Sequence, residues 1–324
     1  MDRIGIGAIG CGGIASGHLP AYRDLDGIET VAVCDIDEQA ARARADEFDV
    51  PAVYIDWREL IADERVDAVS ILLPHHLHRD VAVAAAEAGK HVLTEKPMAT
   101  SLAEADDMIA AADAAGVVLM VGQILRFRPA NTKARELIRG GAIGEVRNIL
   151  RRRLGNSREF RSDWAHKPEE AGGWVLYGYG AHEVDMILWL NDKEPETVYA
   201  QARVNNEYWN DYDEITVQMS LLDGPMATYQ HSLNTPFGAW ECMVIGTEDA
   251  MLIDSGQIRF ADHVVEAPLD SPACWRAQVG EFVRAIEEGD EPEASGRNVR
   301  RTMAALEAAK ISIRDGVLVD ATGL

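Results

Sequence analysis

Through the first 120 or so residues, short runs of almost unbroken apolar residues alternate with Ala-rich stretches patterned as helices. Arg3–Ile9, Thr30–Asp35, Ala68–Leu73, His91–Thr94 and Val117–Val121 read as strands, and their continuous hydrophobicity predicts parallel strands covered on both faces. Between them, Glu38–Phe48, Arg79–Ala88 and Leu102–Ala115 carry helical spacing, with Gly89 as a stop signal. Ser101 and Glu104 fit a capping box at the start of the last of these helices. Alternation of this kind predicts a doubly wound α/β sheet.

After Gly122 the pattern changes. Glu145–Gly155, Thr197–Asn205, Glu214–Leu222, Met226–Asn234, Trp240–Ile245 and Met251–Asp254 follow one another as strands. Turn signals punctuate them at Asp223-Gly224-Pro225 and after Gly246, which predicts an antiparallel sheet with one face on helices. Helices are expected near Asn131–Arg139, His182–Leu190, Trp275–Glu288 and Val299–Arg314. The expected division is therefore 1–122 and 123–324. The fold class is α/β: an N-terminal Rossmann dinucleotide-binding domain, then a C-terminal α/β domain with a large, mainly antiparallel open sheet.

Composition narrows the partners. A formal net charge of −23 disfavours phosphate backbones and anionic headgroups, so neither nucleic acid nor membrane is expected. The apolar runs fall short of a bilayer span, and the start at Met1, Asp2 and Arg3 lacks a secretory pattern. Four scattered cysteines without a CxxC pair suit a reducing cytoplasm.

The strongest local signal is Gly10-Cys11-Gly12-Gly13-Ile14-Ala15, a G-x-G-x-x-A that follows a strand and opens a helix. Gly10 permits the tight turn, Gly12 lets backbone N–H groups approach a pyrophosphate, and small Ala15 allows close helix–strand packing. Asp35 ends the second strand, where a carboxylate accepts ribose hydroxyls and repels a 2′-phosphate. NAD is thus favoured over NADP, with Arg42 and Arg44 as the residues that would offset this. Lys96, in Glu95-Lys96-Pro97, lies just past a strand end, where open α/β sheets bind ligands. It is one of only six lysines against 25 arginines, so a lysine here is a candidate for chemistry.

These motifs continue with Pro74-x-x-x-His78, Ala88-Gly89-Lys90-His91-Val92-Leu93, Arg126-Phe127-x-Pro129, Gly144-Glu145, Gly172-Gly173 and Gly180-x-His182-x-x-Asp185. Together they resemble the Gfo/Idh/MocA oxidoreductases, the group of inositol and sugar dehydrogenases, over essentially the whole chain. The resemblance implies a nicotinamide cofactor held by the glycine loop from Gly10 to Ala15, including Cys11, Gly13 and Ile14, with Asp35, Pro74, His75, His78, Glu95, Lys96 and Gln123. It implies a substrate site of Lys96, Arg126, Trp164 and His182. Lys96 and His182 would handle a hydroxyl proton while hydride passes to nicotinamide. A homodimer or homotetramer through the open sheet is implied as well.

Where that family carries Asp-x-Gly-x-His, this chain reads Gly178-Tyr179-Gly180-Ala181-His182. Tyr177 and Tyr179 are the candidates to replace the missing carboxylate, and Asp185 is placed as a helix cap or a support for His182. His75, His76 and His78 lack the spacing of a metal site, and none is expected. Arg151, Arg152 and Arg153 on one strand put Arg151 and Arg153 on one face, read as solvated or at an interface, the alternative being recognition of an anionic substrate such as a sugar acid. The expected activity is oxidoreduction at a secondary hydroxyl or ketone of a cyclic polyol, sugar or sugar derivative. A redox-assisted glycosidase or lyase, and a non-enzymatic sugar or nucleotide sensor, remain the alternatives.

Overall fold

A computed structural model describes residues 3–158, 162–206, 208–209 and 211–324. The chain forms two compact units, one of Met1–Ile124 with Ser271–Arg300, the other of Leu125–Asp270 with Arg301–Leu324.

The first unit holds six parallel strands, β1 (Ile4–Ile9), β2 (Ile28–Cys34), β3 (Ala52–Tyr54), β4 (Ala68–Ile71), β5 (His91–Glu95) and β6 (Leu119–Gly122). Their order is β3-β2-β1-β4-β5-β6. The strand order reverses between β1 and β4, the place where such sheets bind ligands. Helices α1 (Ala15–Arg23), α2 (Glu38–Phe48), α3 (Trp57–Ile61), α4 (His78–Glu87) and α5 (Leu102–Ala115) connect them. The capping at α5 is as expected on one side only. Ser101 Oγ accepts the Glu104 N–H, while Glu104 reaches back to Thr100 rather than to Ser101. The short β3 escaped the sequence reading.

One segment departs from the expected division. Helix α9 (Ser271–Glu288), expected in the second domain, packs on α1 of the first unit. Trp275 lies 4.9 Å from the His18 ring, and a Cβ at Gly17 would stand 2.4 Å from the indole. The glycine of Ser16-Gly17-His18 thus permits a close helix crossing.

The second unit is built on nine strands. They are β7 (Val146–Asn156), β8 (Pro195–Arg203), β9 (Glu214–Leu221), β10 (Met226–Ser232), β11 (Asn234–Gly246), β12 (Ala250–Ile253), β13 (Gln257–Arg259), β14 (Val264–Glu266) and β15 (Val319–Asp320). The order is β14-β13-β12-β11-β7-β10-β9-β8-β15, antiparallel apart from the β7–β10 pair, which is parallel. Its helices are α6 (Pro129–Arg139), α7 (Pro168–Ala171), α8 (Gly180–Asn191) and α10 (Gly296–Asp315), whose first turn counts with the first unit. Alternate residues such as Val198, Ile215, Tyr229 and Val244 are buried, while Gln218 and Met226 on the opposite face are exposed. Among the described residues, no helix is long and apolar enough to cross a membrane.

Candidate active site

In the first unit the glycine loop divides into glycines that serve the fold and glycines that leave space. Gly10 has φ +106°, and a Cβ there would fall 2.4 Å from the Leu72 carbonyl oxygen, so the backbone excludes any side chain. At Gly12 and Gly13 a Cβ would meet nothing within 4 Å, and both residues are exposed, as is Ile14. No side chain caps the N-terminus of α1 at Ile14, and Ala15 beneath it is fully buried. An open glycine cradle before an uncapped helix start fits a pyrophosphate.

Asp35 fastens this loop. Its Oδ2 accepts the Cys11 N–H at 2.8 Å and its Oδ1 accepts the Asp37 N–H at 3.0 Å. Each oxygen keeps a second lone pair for a ribose hydroxyl. Cys11 contributes its backbone only, because burial, with Asp35 nearby, pushes its thiol up to about 12. Arg44 Nε donates to the Cys11 carbonyl, whereas Arg42 is paired with Glu38 on the helix surface.

Pro74 precedes a single helical turn, His75–Leu77, in which His75 is buried. His78 Nδ1 lies 2.8 Å from the Pro97 carbonyl and Nε2 lies 2.9 Å from the Leu73 carbonyl. Burial lowers its pKa, against the two backbone carbonyls that raise it. Expected on the cofactor, His78 instead ties the loop after β5 to the loop after β4.

Glu95 is likewise turned inward. Its Oε1 lies 2.8 Å from His18 Nε2, and its Oε2 accepts the Lys96 N–H at 3.2 Å. The carboxylate is thus a buried anchor beneath Lys96. His18 carried no recognisable signal, since its partner is 77 residues away. Burial raises the Glu95 pKa, but His18 and Lys96 outweigh it and keep the carboxyl ionised. Lys96 itself is half-buried between buried neighbours on both sides, and Gln123 is buried at the end of β6.

In the second unit the corresponding segment is Trp174–Tyr179, a π-helical stretch that runs directly into α8. From Ala181 through Leu190 only His182 escapes burial. Trp164, Trp174 and Tyr179 stand edge-to-face at 5.6 Å each, and Tyr179 continues to His231 at 4.7 Å. The two tyrosines part company here. Tyr177 is fully buried and donates its hydroxyl to Glu307 at 2.8 Å, so it is a packing residue and not a replacement acid or base. Tyr179 is partly exposed. Asp211, which the sequence reading did not single out, accepts from the Trp174 backbone, and burial raises its pKa.

Arg126, expected at the substrate, is buried and forked onto Asp185 at 2.6 and 2.8 Å, with Thr302 completing the carboxylate at 3.0 Å. Asp185, inside α8, is therefore the anchor of an ion pair and not a helix cap. The arginine triplet is corrected as well. Arg151 is buried against Glu183, which also accepts from Arg153 at 3.0 Å and from Trp240 Nε1 at 3.1 Å. Only Arg152 lies on the outer face, paired with Glu241.

Residues 4–123 match the family described as "Oxidoreductase family, NAD-binding Rossmann fold", and residues 131–252 match the "GFO/IDH/MocA C-terminal domain". D-apiose dehydrogenase of Paraburkholderia graminis is 30% identical over 98% of this chain and 89% of its own length. D-xylose 1-dehydrogenase (NADP(+)) 2 of Haloferax volcanii is 29% identical over 97% and 98%. The crystal structure of an oxidoreductase domain protein from Kribbella flavida superposes with a TM-score of 0.92 at 26% identity, covering 99% of this chain and 100% of that one. The fold and the glycine loop define an NAD(P)-dependent oxidoreductase. The chain belongs to the Gfo/Idh/MocA family.

Proposed function

We propose that this enzyme transfers hydride between NAD and a secondary hydroxyl or ketone of a cyclic polyol, sugar or sugar derivative, with Lys96 and His182 serving the hydroxyl proton. The observation that carries the reading is that each unit offers one such side chain. Lys96 in the first unit and His182 in the second each stand partly exposed within an otherwise buried run. When bound, the nicotinamide supplies the hydride acceptor. Gly12 and Gly13 leave open space that would take its pyrophosphate, and Asp35 would hold the ribose side. Lys96, fixed at its backbone by Glu95, meets the substrate oxygen as a cation and stabilises developing negative charge there. His182 takes the proton as the C–H bond is broken.

Sugar and polyol chemistry is supported by the relatives, which include an apiose dehydrogenase and a xylose dehydrogenase. The latter is named for NADP, whereas the Asp35 carboxylate would repel a 2′-phosphate, so NAD is the preferred dinucleotide here. We extend the reading to a homodimer or homotetramer through the outer face of the nine-stranded sheet, where Met226 and Met243 are exposed.

A panel of inositols, aldoses, anhydrosugars and uronic acids, followed by nicotinamide absorbance with NAD and NADP separately, tests the proposal. NADH formed one-for-one with substrate consumed identifies net dehydrogenation, whereas turnover without NADH identifies redox-assisted elimination. Lys96→Ala and His182→Ala should each lower kcat by about 10²- to 10⁴-fold while NAD still binds. Retained turnover in both variants would reject the assignment.

A further inference from the structure

Helix α8 and strand β7 enclose a charge imbalance in the second unit. Glu183, fully buried, is the carboxylate that faces β7, and three donors already use it: Arg151, Arg153 and the Trp240 indole. Two guanidinium cations against one carboxylate leave a positive charge that no described residue neutralises. Arg151 is sealed, its side chain 5% exposed, but the Arg153 side chain is 28% exposed. The surplus is therefore presented at Arg153.

The presentation is rigid. The Arg153 guanidinium lies 4.4 Å from the Tyr179 ring centroid and 4.6 Å from that of Trp240, an aromatic clamp that fixes its plane. One nitrogen is held by Glu183, leaving other N–H groups of the planar fork for an incoming acceptor. The neighbouring ring adds no competing charge. Burial and Arg153 push His231 down to about 3, and its Nδ1 lies 2.6 Å from the Tyr229 hydroxyl. Tyr179 in turn is three residues before His182, so the exposed edge of Arg153 borders the segment assigned to substrate.

We infer that the substrate carries an anionic group, a carboxylate on the sugar or polyol, and that Arg153 receives it. This rests on the reading of the Tyr179–His182 segment as the substrate side of the enzyme. The redox balance is unchanged. The C–H hydride reduces NAD, the O–H proton leaves to a base, a ketone forms, and the carboxylate is a spectator held by charge-assisted hydrogen bonds. A preorganised cation suits this role because its desolvation cost is met in the fold and not on binding.

The test compares aldoses with their uronic acids, glucose with glucuronate and galactose with galacturonate, in the wild type, Arg153→Gln and Arg153→Lys. Thermal unfolding of each variant establishes that it is folded. Titration of each uronate into the NADH-loaded enzyme reads binding without turnover. The wild type should favour the uronate in kcat/KM by at least about tenfold, and added salt should narrow that margin. Arg153→Gln should lose at least about tenfold more on the uronate than on the neutral sugar, chiefly in KM, with Arg153→Lys between them. Equal or better use of the neutral sugar by the wild type, or an equal loss on both substrates in Arg153→Gln, overturns the inference and leaves sugar dehydrogenation intact. Uronate binding that disappears in Arg153→Gln, in an enzyme that turns over neither these compounds nor the wider panel above, upholds the anion site and rejects the dehydrogenase reading. Absence of binding to the wild type overturns the anion site directly.

Discussion

Arg126 and Asp185 form a two-pronged ion pair at 2.6 and 2.8 Å with both side chains sealed from solvent. Such a pair is costly to leave half made, because the surviving partner is a desolvated charge. Arg126→Leu and Asp185→Leu should each destabilise the enzyme by about 3–5 kcal/mol, and the double variant by less than either single change. Chemical denaturation of the three variants measures the difference, and additive losses would contradict this account.

The glycine loop gives a sharper contrast. Gly10→Ala forces a Cβ toward the Leu72 carbonyl at a positive φ and should lower stability along with dinucleotide binding. Gly12→Ala adds a methyl to open space in the free protein, so its thermal unfolding should match the wild type. NADH affinity in that variant should nevertheless fall by at least about tenfold, roughly 1.4 kcal/mol, as the methyl enters the phosphate path. Fluorescence titration with NADH reads the affinity, and undiminished binding would count against the cradle.

Asp35 bears on dinucleotide choice and on the fold together. Asp35→Ser should shift the NAD/NADP preference in kcat/KM toward NADP by at least about tenfold. It should also cost about 1 kcal/mol, because the Cys11 and Asp37 N–H groups lose an ionised acceptor. Unchanged preference would place the ribose contact elsewhere.

His231 predicts a pH dependence whose sign is fixed by burial. Its pKa falls from the ordinary 6.5 to about 3, so below 6.5 the unfolded chain binds a proton that the folded ring refuses. Stability from this residue is complete above 6.5 and is lost as pH drops toward about 3. The slope it contributes is at most about 1.4 kcal/mol per pH unit. His231→Gln should flatten the pH profile of the unfolding free energy across that window, and a profile as steep as the wild type would show that other groups set it.

Local patterning in the sequence was sufficient for the parallel strands β1, β2, β4, β5 and β6, because β1, β4, β5 and β6 and the second half of β2 are buried on both faces and therefore read as apolar runs. The three-residue β3 is half-buried and too short to carry a period. Helix α9 was visible as a helix, yet its amphipathic stripe says nothing about which core receives it. That depends on Gly17, more than 250 residues earlier. The same distance problem hid the partners of Arg126, Tyr177 and Arg151. Each was conspicuous by motif or type, while the carboxylate that claims it lies 59, 130 and 32 residues away respectively. Tyr177 and Tyr179 were indistinguishable as neighbours; the π-helical winding turns one inward and leaves the other at the surface.

The packing of α9 against α1 has a consequence for biosynthesis. The nucleotide-binding unit draws its closing helix from Ser271–Glu288, so a ribosome must pass strands β7 to β14 of the second unit before that half is complete. Until then the emerging N-terminal sheet lacks the cover that Trp275 supplies over Gly17 and His18. A nascent chain stalled short of Ser271 would therefore carry an apolar scar on α1, a natural handhold for a chaperone.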